Sequence, residues 1–464
     1  MSNELSMLSA VELIQRYEAH SLSPVEVARA VFERIGKANG PVNAFVYTLE
    51  GSALAEAKES EARWKKRAPL GPIDGVPVTI KDLADIKGHP SYKGSRTTAD
   101  TPVPADSPAV ALMRASGAVF IGKTTTPEFG WAGVTHCPKT GITRNPWNPA
   151  KTSGGSSGGA GVAAALGMGA LHLGTDGGGS IRMPASMCGI FGLKPTTGRI
   201  PYHPGSAMLS CSAVGPMTRT VGDAALMMDV TAKYDARDWF GIAAPAPSHR
   251  DGLEAGAKGL RIAYSPTLFG ARPHAEIAAA VDGVAKLYRK LGATVTEVGD
   301  FLKSPRKPYE TFYVANLARL YRMMTEEQKA VVDPGFRAYV EDGMRVSLAD
   351  YQEAIMAEIA FGAEVQQALV DYDLILSPQL VLTAFEAGVE VPAGRGMTRW
   401  FDWAPYTYPF NFSNHPAASV PCGFDSSHMP MSFQLVGRKA EEAIILRAAR
   451  AYEREHPFRM PKAG

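Results

Sequence analysis

Apolar residues recur at helical spacing at Leu13, Ile14 and Tyr17. They recur again at Val25, Val27, Ala28, Val31, Phe32 and Ile35, after the start signal Ser23-Pro24. This spacing predicts a helical preface over residues 9–65. From Leu70 the texture changes to short apolar runs between Gly and Pro, and the runs at 76–80 and 118–121 predict strands of a sheet. Residues 151–198 are rich in Gly, Ser and Ala but lack the monotony of a linker. Within them, 158–169, with Val162, Ala163, Leu166 and Met168, predicts a tightly buried helix despite the glycine cost, and 170–175 predicts a strand. Helical patterns dominate 221–370, including 277–291, with strand-like runs at 261–264 and 293–298. Strand patterns resume at 373–377 and 418–421, residues 441–453 predict a closing helix, and no internal repeat is visible.

At 464 residues the chain is long enough for two or three average domains, though a large α/β enzyme uses the same length as one folded unit. With 45% apolar and 20% charged residues it has the composition of a soluble protein with a well-filled core. A net charge of +2 leaves no electrostatic footprint for nucleic acid or an anionic membrane, so neither is expected as a partner. The first 20 residues carry acidic groups from Glu4 on and no apolar run long enough for a signal peptide or membrane span, which points to the cytoplasm. Cys137, Cys188, Cys211 and Cys422 are scattered, as small buried hydrophobes are. The ten histidines form no HExxH and no ligand cluster, so neither a metal nor a cofactor is expected.

Three glycine-rich signals compete for the chemistry. GAVFIGKT at 117–124 satisfies the phosphate-loop pattern, but its interior is itself strand-like and Pro127 interrupts the helix that should follow, so the match is read as accidental. GGSSG at 154–158 satisfies the nucleophile-elbow pattern, which would make Ser156 the nucleophile with His415 or His428 as partner. An elbow follows a buried strand, however, and here a loop, NPWNPAK, precedes it. The third signal is a pair of segments, SGGSSGG at 153–159 and GTDGGGSIR at 174–182. A helix between them travels about 16 Å and six strand residues return about 20 Å, so Ser156 and Ser180 can meet. Three side-chain-free amides before Ser180, at the start of a short helix towards Cys188, suit an oxyanion; the plainer alternative is a tight packing turn. Lys81 ends the run VPVTIKD at the carboxyl edge of a strand, a usual place for sites, although such a lysine is also commonly solvated or paired, here with Asp82 as neighbour.

Together these residues resemble the amidase signature family. The resemblance rests on VTIKDL around Lys81, GKTTTPEF at 122–129, NPWNP at 145–149, SGGSSGG, GTDGGGSIRMPA and CGIFGLKPT at 188–196. Fainter echoes lie in GPMTRTV at 215–221, NHPAASVP at 414–421 and MPMSFQLVG at 429–437. The resemblance implies an α/β fold, with a central mixed twisted β-sheet covered on both faces by α-helices. It implies one amidase domain over 1–464, divided into a preface (1–65), a catalytic core (66–230), a variable substrate-pocket region (231–400) and a C-terminal part of the core (401–464). It also implies a catalytic triad of Lys81, Ser156 and Ser180, a cis peptide between Gly155 and Ser156, and an oxyanion hole of the amides of Gly177, Gly178, Gly179 and Ser180. Ser157, Thr175, Asp176 and Arg182 are expected to support structure or substrate; for Arg182, holding the glycine loop is preferred to binding a substrate carboxylate. Ser212-Ala213 departs from the Asp and polar residue that family members often carry there, which puts a supporting contact in question.

The chemistry implied is amide hydrolysis through an acyl-enzyme on Ser180, with Ser156 passing protons to a neutral Lys81. From a free value near 10.4, keeping a lysine neutral at neutral pH costs roughly 4 kcal/mol, so burial among residues such as Val78 and Ile80 must lower it while Asp82 opposes. The aromatic residues between 400 and 412 and the pair Phe312-Tyr313 either receive an apolar or aromatic part of a small-molecule amide or fill the core. Carbamates and aryl esters use the same machinery. Two other readings are a glutamine-hydrolysing subunit of a tRNA-dependent amidotransferase and a non-catalytic scaffold. A homodimer and a lid over 301–370 are left open.

Overall fold

Eleven strands form one mixed sheet among residues 2–461, which the computed structural model describes. In chain order the strands are β1 (Phe45–Thr48), β2 (Pro77–Lys81), β3 (Val119–Thr124), β4 (His136–Cys137), β5 (Gly141–Ile142), β6 (Leu171–Asp176) and β7 (Phe191–Lys194). They continue as β8 (Ala213–Thr218), β9 (Arg261–Tyr264), β10 (Thr294–Glu297), β11 (Leu374–Pro378), β12 (Ala417–Phe424) and β13 (Pro430–Gly437). β4 and β5 make a separate ribbon; the others lie in the order β1-β3-β2-β6-β8-β7-β12-β13-β11-β9-β10. Pairing is parallel along β3-β2-β6 and β11-β9-β10 and antiparallel through the middle. β2, β3 and β6 are buried at every residue, as parallel strands covered on both sides must be.

Alternate side chains of β13 show what covers each face. Phe433 meets Tyr288 of the helix Ala275–Lys290 and Tyr452 of the helix Glu442–Glu455, at ring-centroid distances of 6.2 and 4.9 Å. The next residue, Gln434, points the other way and accepts from Arg182 of the helix Arg182–Cys188 at 2.8 Å.

The preface departs from expectation at one place. Its helices Ala10–Glu18 and Pro24–Val42 both begin with a Ser-to-Glu capping box, but the second ends at Asn43 in the left-handed region, and Phe-Val-Tyr-Thr then forms β1 against β3. Four strand-forming residues between two long helices are too few to register as a period. The buried small-residue helix is likewise shorter than expected, Gly158–Ala165, because Gly167 and Gly169 take positive φ and turn the chain into β6. Gly159 is required by close approach, since a Cβ there would lie 2.4 Å from the backbone nitrogen of Thr125.

Two apolar cores fill the molecule. The first joins the preface helices, the sheet and the closing helix. The second gathers the helices Arg306–Arg322, Pro334–Gly343 and Leu348–Ala368 around the aromatic residues between 400 and 412, all of which are buried. The helix Arg182–Cys188 lies between them, giving Ala185 and Cys188 to the first core and Met183 and Met187 to the second.

Candidate active site

β2 delivers Lys81 as its last residue, fully buried. Its Nζ lies 2.6 Å from Ser156 Oγ, 2.9 Å from Thr175 Oγ1 and 3.4 Å from the Thr175 carbonyl. Burial pushes the Lys81 ammonium well below the ordinary lysine value, opposed by the charge of Asp176. The expectation that Asp82 would be the opposing carboxylate is corrected. The Asp82 side chain faces Lys123 at 3.3 Å, because successive residues at the strand end point to opposite sides. The same contact disposes of the phosphate-loop pattern: Lys123 is buried in β3, donating to the Ala84 carbonyl and to Ser91 Oγ.

Ser156 sits in the loop before the helix Gly158–Ala165, and the peptide joining it to Gly155 is cis. Ser157 ties this loop to the neighbouring segments. Its hydroxyl donates to the Thr175 carbonyl at 3.1 Å, and its amide donates to the Ser180 carbonyl at 3.1 Å. The elbow geometry is not met, since no strand leads into Ser156. His415 is held by the Ser413 carbonyl and Gln366, His428 is exposed, and neither lines the cavity that Ser156 faces.

Beyond β6 the turn 176–180 is organised by Asp176. Its carboxylate accepts from the amides of Gly179 at 2.6 Å and Ile181 at 3.1 Å, from Arg182 Nε at 3.0 Å and Nη2 at 3.1 Å, and from Asn411 Nδ2 at 2.9 Å. Burial alone would raise this carboxyl, but the Arg182 guanidinium holds it well below the usual carboxylate range. Arg182 also donates from Nη1 to the Thr407 carbonyl and Gln434 and from Nη2 to Asn411. A guanidinium has five N–H donors, and these partners occupy all five, leaving none to reach a substrate.

Every carbonyl of the turn is taken. Asp176 O accepts from Asn411 Nδ2 at 2.9 Å, Gly177 O from the Tyr309 hydroxyl at 2.6 Å, and Gly178 O from Thr407 Oγ1 at 2.7 Å. Gly179 O accepts from the Met183 amide at 2.7 Å and Ser180 O from that of Ser157. The amides divide differently. That of Gly179 is turned to Asp176, whereas among the described residues those of Gly177, Gly178 and Ser180 have no acceptor. Of the four amides expected to receive an oxyanion, that of Gly179 is therefore already taken. Tyr309, Thr407 and Asn411 are not marked by any local pattern in the sequence; Thr407 and Asn411 are polar residues set among the more conspicuous rings of 400–412.

Ser156, Thr175, Gly177, Gly178 and Ser180 open onto one cavity. Leu83, Phe129, Met183, Met208, Tyr313 and Trp400 form its apolar wall, and among the described residues no charged side chain lines it. Of the aromatic residues singled out in the sequence, Trp400 and Tyr313 reach the cavity and Phe312 packs in the second core. Ser212, where the family pattern often has Asp, also faces the cavity.

The Amidase family model matches residues 26–446. The chain is 34% identical over 465 residues to an acylamidase of Rhodococcus erythropolis, covering 98% of this chain and 96% of that protein. It is also 34% identical over 483 residues to a glutamyl-tRNA(Gln) amidotransferase subunit of Myxococcus xanthus, covering 98% of each. Among solved structures, a bacterial aryl acylamidase of the amidase signature enzymes matches with a TM-score of 0.90 at 27% identity, over 97% of this chain and 96% of that one. The 6-aminohexanoate cyclic dimer hydrolase matches with a TM-score of 0.89 at 27% identity, over 99% of each chain.

Proposed function

Given that this chain belongs to the amidase signature family and hydrolyses the C–N bond of carboxylic amides, we propose that Ser180 is its nucleophile, with Ser156 as proton relay and neutral Lys81 as base. The observation that carries this reading is the 2.6 Å approach of Lys81 Nζ to Ser156 Oγ at the edge of the cavity onto which Ser180 opens. Ser180 gives its proton to Ser156 as it attacks the carbonyl carbon, and Ser156 gives its own to Lys81. The oxyanion is received by the amides of Gly177, Gly178 and Ser180, which are fixed before the reaction begins. Return of the proton through Ser156 expels the amine, and water then hydrolyses the ester on Ser180.

The wall supports a neutral substrate with an apolar or aromatic group, such as an anilide. Free glutamine would bring an ammonium and a carboxylate to a lining that, among the described residues, holds no charged side chain to meet them, and burying unpaired charge is costly. This favours a small-molecule amidase over the glutamine-hydrolysing role. Carbamates and aryl esters present the same carbonyl to the same relay.

The test is labelling with a fluorophosphonate, together with turnover of anilides, aliphatic amides, an aryl carbamate and glutamine. Label on Ser180 and turnover of anilides, both lost in Ser180→Ala, are the expected results. Unchanged turnover in Ser180→Ala, or glutamine as the best substrate, would overturn the reading.

A further inference from the structure

Resting on the reading of Gly177, Gly178 and Ser180 as the oxyanion site, we propose that Tyr309 is a positioning residue of the reaction, aiming the Gly178 amide by holding the carbonyl of Gly177. In a trans peptide the C=O of one residue and the N–H of the next lie in one plane and point opposite ways. The peptide joining Gly177 to Gly178 is trans, and its oxygen accepts at 2.6 Å from the hydroxyl of Tyr309, which is not among the residues lining the cavity. The Gly178 N–H therefore points away from the Tyr309 hydroxyl; it has no acceptor among the described residues, and Gly178 itself lines the cavity.

The other units of the turn are set by different means. Asn411 holds Asp176 O, opposite the Gly177 amide, and is also part of the Asp176–Arg182 cluster. The Met183 amide holds Gly179 O, opposite the Ser180 amide. Thr407 holds Gly178 O, opposite the Gly179 amide, which faces the Asp176 carboxylate rather than the cavity. The Gly178 amide is thus the free donor whose opposite oxygen depends on one hydroxyl with no other partner in the cluster.

That hydroxyl is itself immobilised. Tyr309 is fully buried, its ring is stacked on Tyr408 at 4.9 Å, and Phe401 and Phe412 meet it edge-on at 5.9 and 5.7 Å. It belongs to the helix Arg306–Arg322, outside every glycine-serine motif, and one turn further on the same helix Tyr313 forms part of the cavity wall. One helix of the second core therefore shapes the substrate wall and orients the donor that meets the oxyanion.

The test compares Tyr309→Phe with Tyr288→Phe in the full chain, alongside Ser180→Ala. Tyr288 is an equally buried tyrosine whose hydroxyl also donates to a backbone carbonyl, that of Ala448 at 3.0 Å, far from the turn. Tyr309→Phe is expected to lower kcat about 10- to 100-fold. KM should stay within about twofold, and a trifluoromethyl ketone inhibitor, which forms the oxyanion on Ser180, should lose affinity by the same factor as kcat. A product carboxylic acid should bind as it does to the wild type, and Tyr288→Phe should keep wild-type kcat. Wild-type kcat in Tyr309→Phe, equal losses in the two tyrosine variants, or equal loss of ketone and product binding would overturn the inference. Activity retained in Ser180→Ala would instead overturn the nucleophile on which it rests, so the two failures are distinct.

Discussion

Lys81 Nζ lies 2.6 Å from Ser156 Oγ, and among the described residues it forms no ion pair with any carboxylate. A buried lysine with hydroxyl and carbonyl partners but no counter-ion has its charged form disfavoured by desolvation. Lys81→Ala is expected to lower kcat/KM by about 10²- to 10⁴-fold while the fold is retained, checked by steady-state kinetics beside a thermal melt.

In the proposed mechanism the same lysine sets the pH profile. A base acts only when neutral, so activity is present above its pKa and lost as pH falls through it. Because burial lowers that pKa, the rising limb of kcat/KM should lie well below the value near 10.4 of a free lysine, with a plateau above. A rising limb centred near 10.4 would show that Lys81 is not desolvated.

Arg182 and Asp176 should matter to stability more than to recognition. Arg182→Ala leaves the Asp176 carboxylate buried without its cation and is expected to cost about 3–5 kcal/mol in urea denaturation. The folded pKa of Asp176 is depressed, so its contribution is complete above the unfolded value near 3.9 and disappears as pH falls through the folded one. Acid titration of wild type against Asp176→Asn should show the variant losing less stability over that range.

At Gly178 the space itself is used. A Cβ there would lie 2.5 Å from the Tyr309 hydroxyl and 2.7 Å from the Trp400 ring, both fixed by packing. Gly178→Ala is expected to destabilise the protein by about 1–3 kcal/mol and to abolish most turnover, read by denaturation and by kcat.

Trp400 tests the wall. Trp400→Phe shortens a ring that faces the substrate. In a series of anilides of increasing acyl size it should raise kcat/KM for bulkier members relative to the smallest; an unchanged ranking would mean that the acyl group lies elsewhere.

The elements legible in the sequence were those with enough length or composition to carry a period. The strand ending at Lys81, the helix after Ser157 and the strand ending at Asp176 all fall within a residue or a few of where the pattern placed them. β1 was hidden because four residues between long helices carry no period of their own. Lys81 and Ser156 were each nominated by local motifs, a strand end and a glycine-serine segment, and their acting together was implied by the family resemblance. Tyr309 was not, since its partner is a carbonyl 132 positions away and one tyrosine on a helix looks like any core ring. The direction in which Asp82 points was also beyond reach, for it depends on which side of the strand end Lys123 occupies.

The cavity lies on the seam between two packed bodies: Lys81, Ser156 and Ser180 are carried by elements of the first core, while Tyr313 and Trp400 belong to the second. Substitutions that share no contacts combine nearly additively, so recognition can drift through second-core changes that lie away from the seam without each change disturbing bond cleavage. The freedom has one boundary. Any change that shifts the helix carrying Tyr309, or the segment carrying Thr407 and Asn411, reaches the turn at 176–180 as well, so diversification of substrate range along this fold is filtered by the side chains that hold the turn's carbonyls.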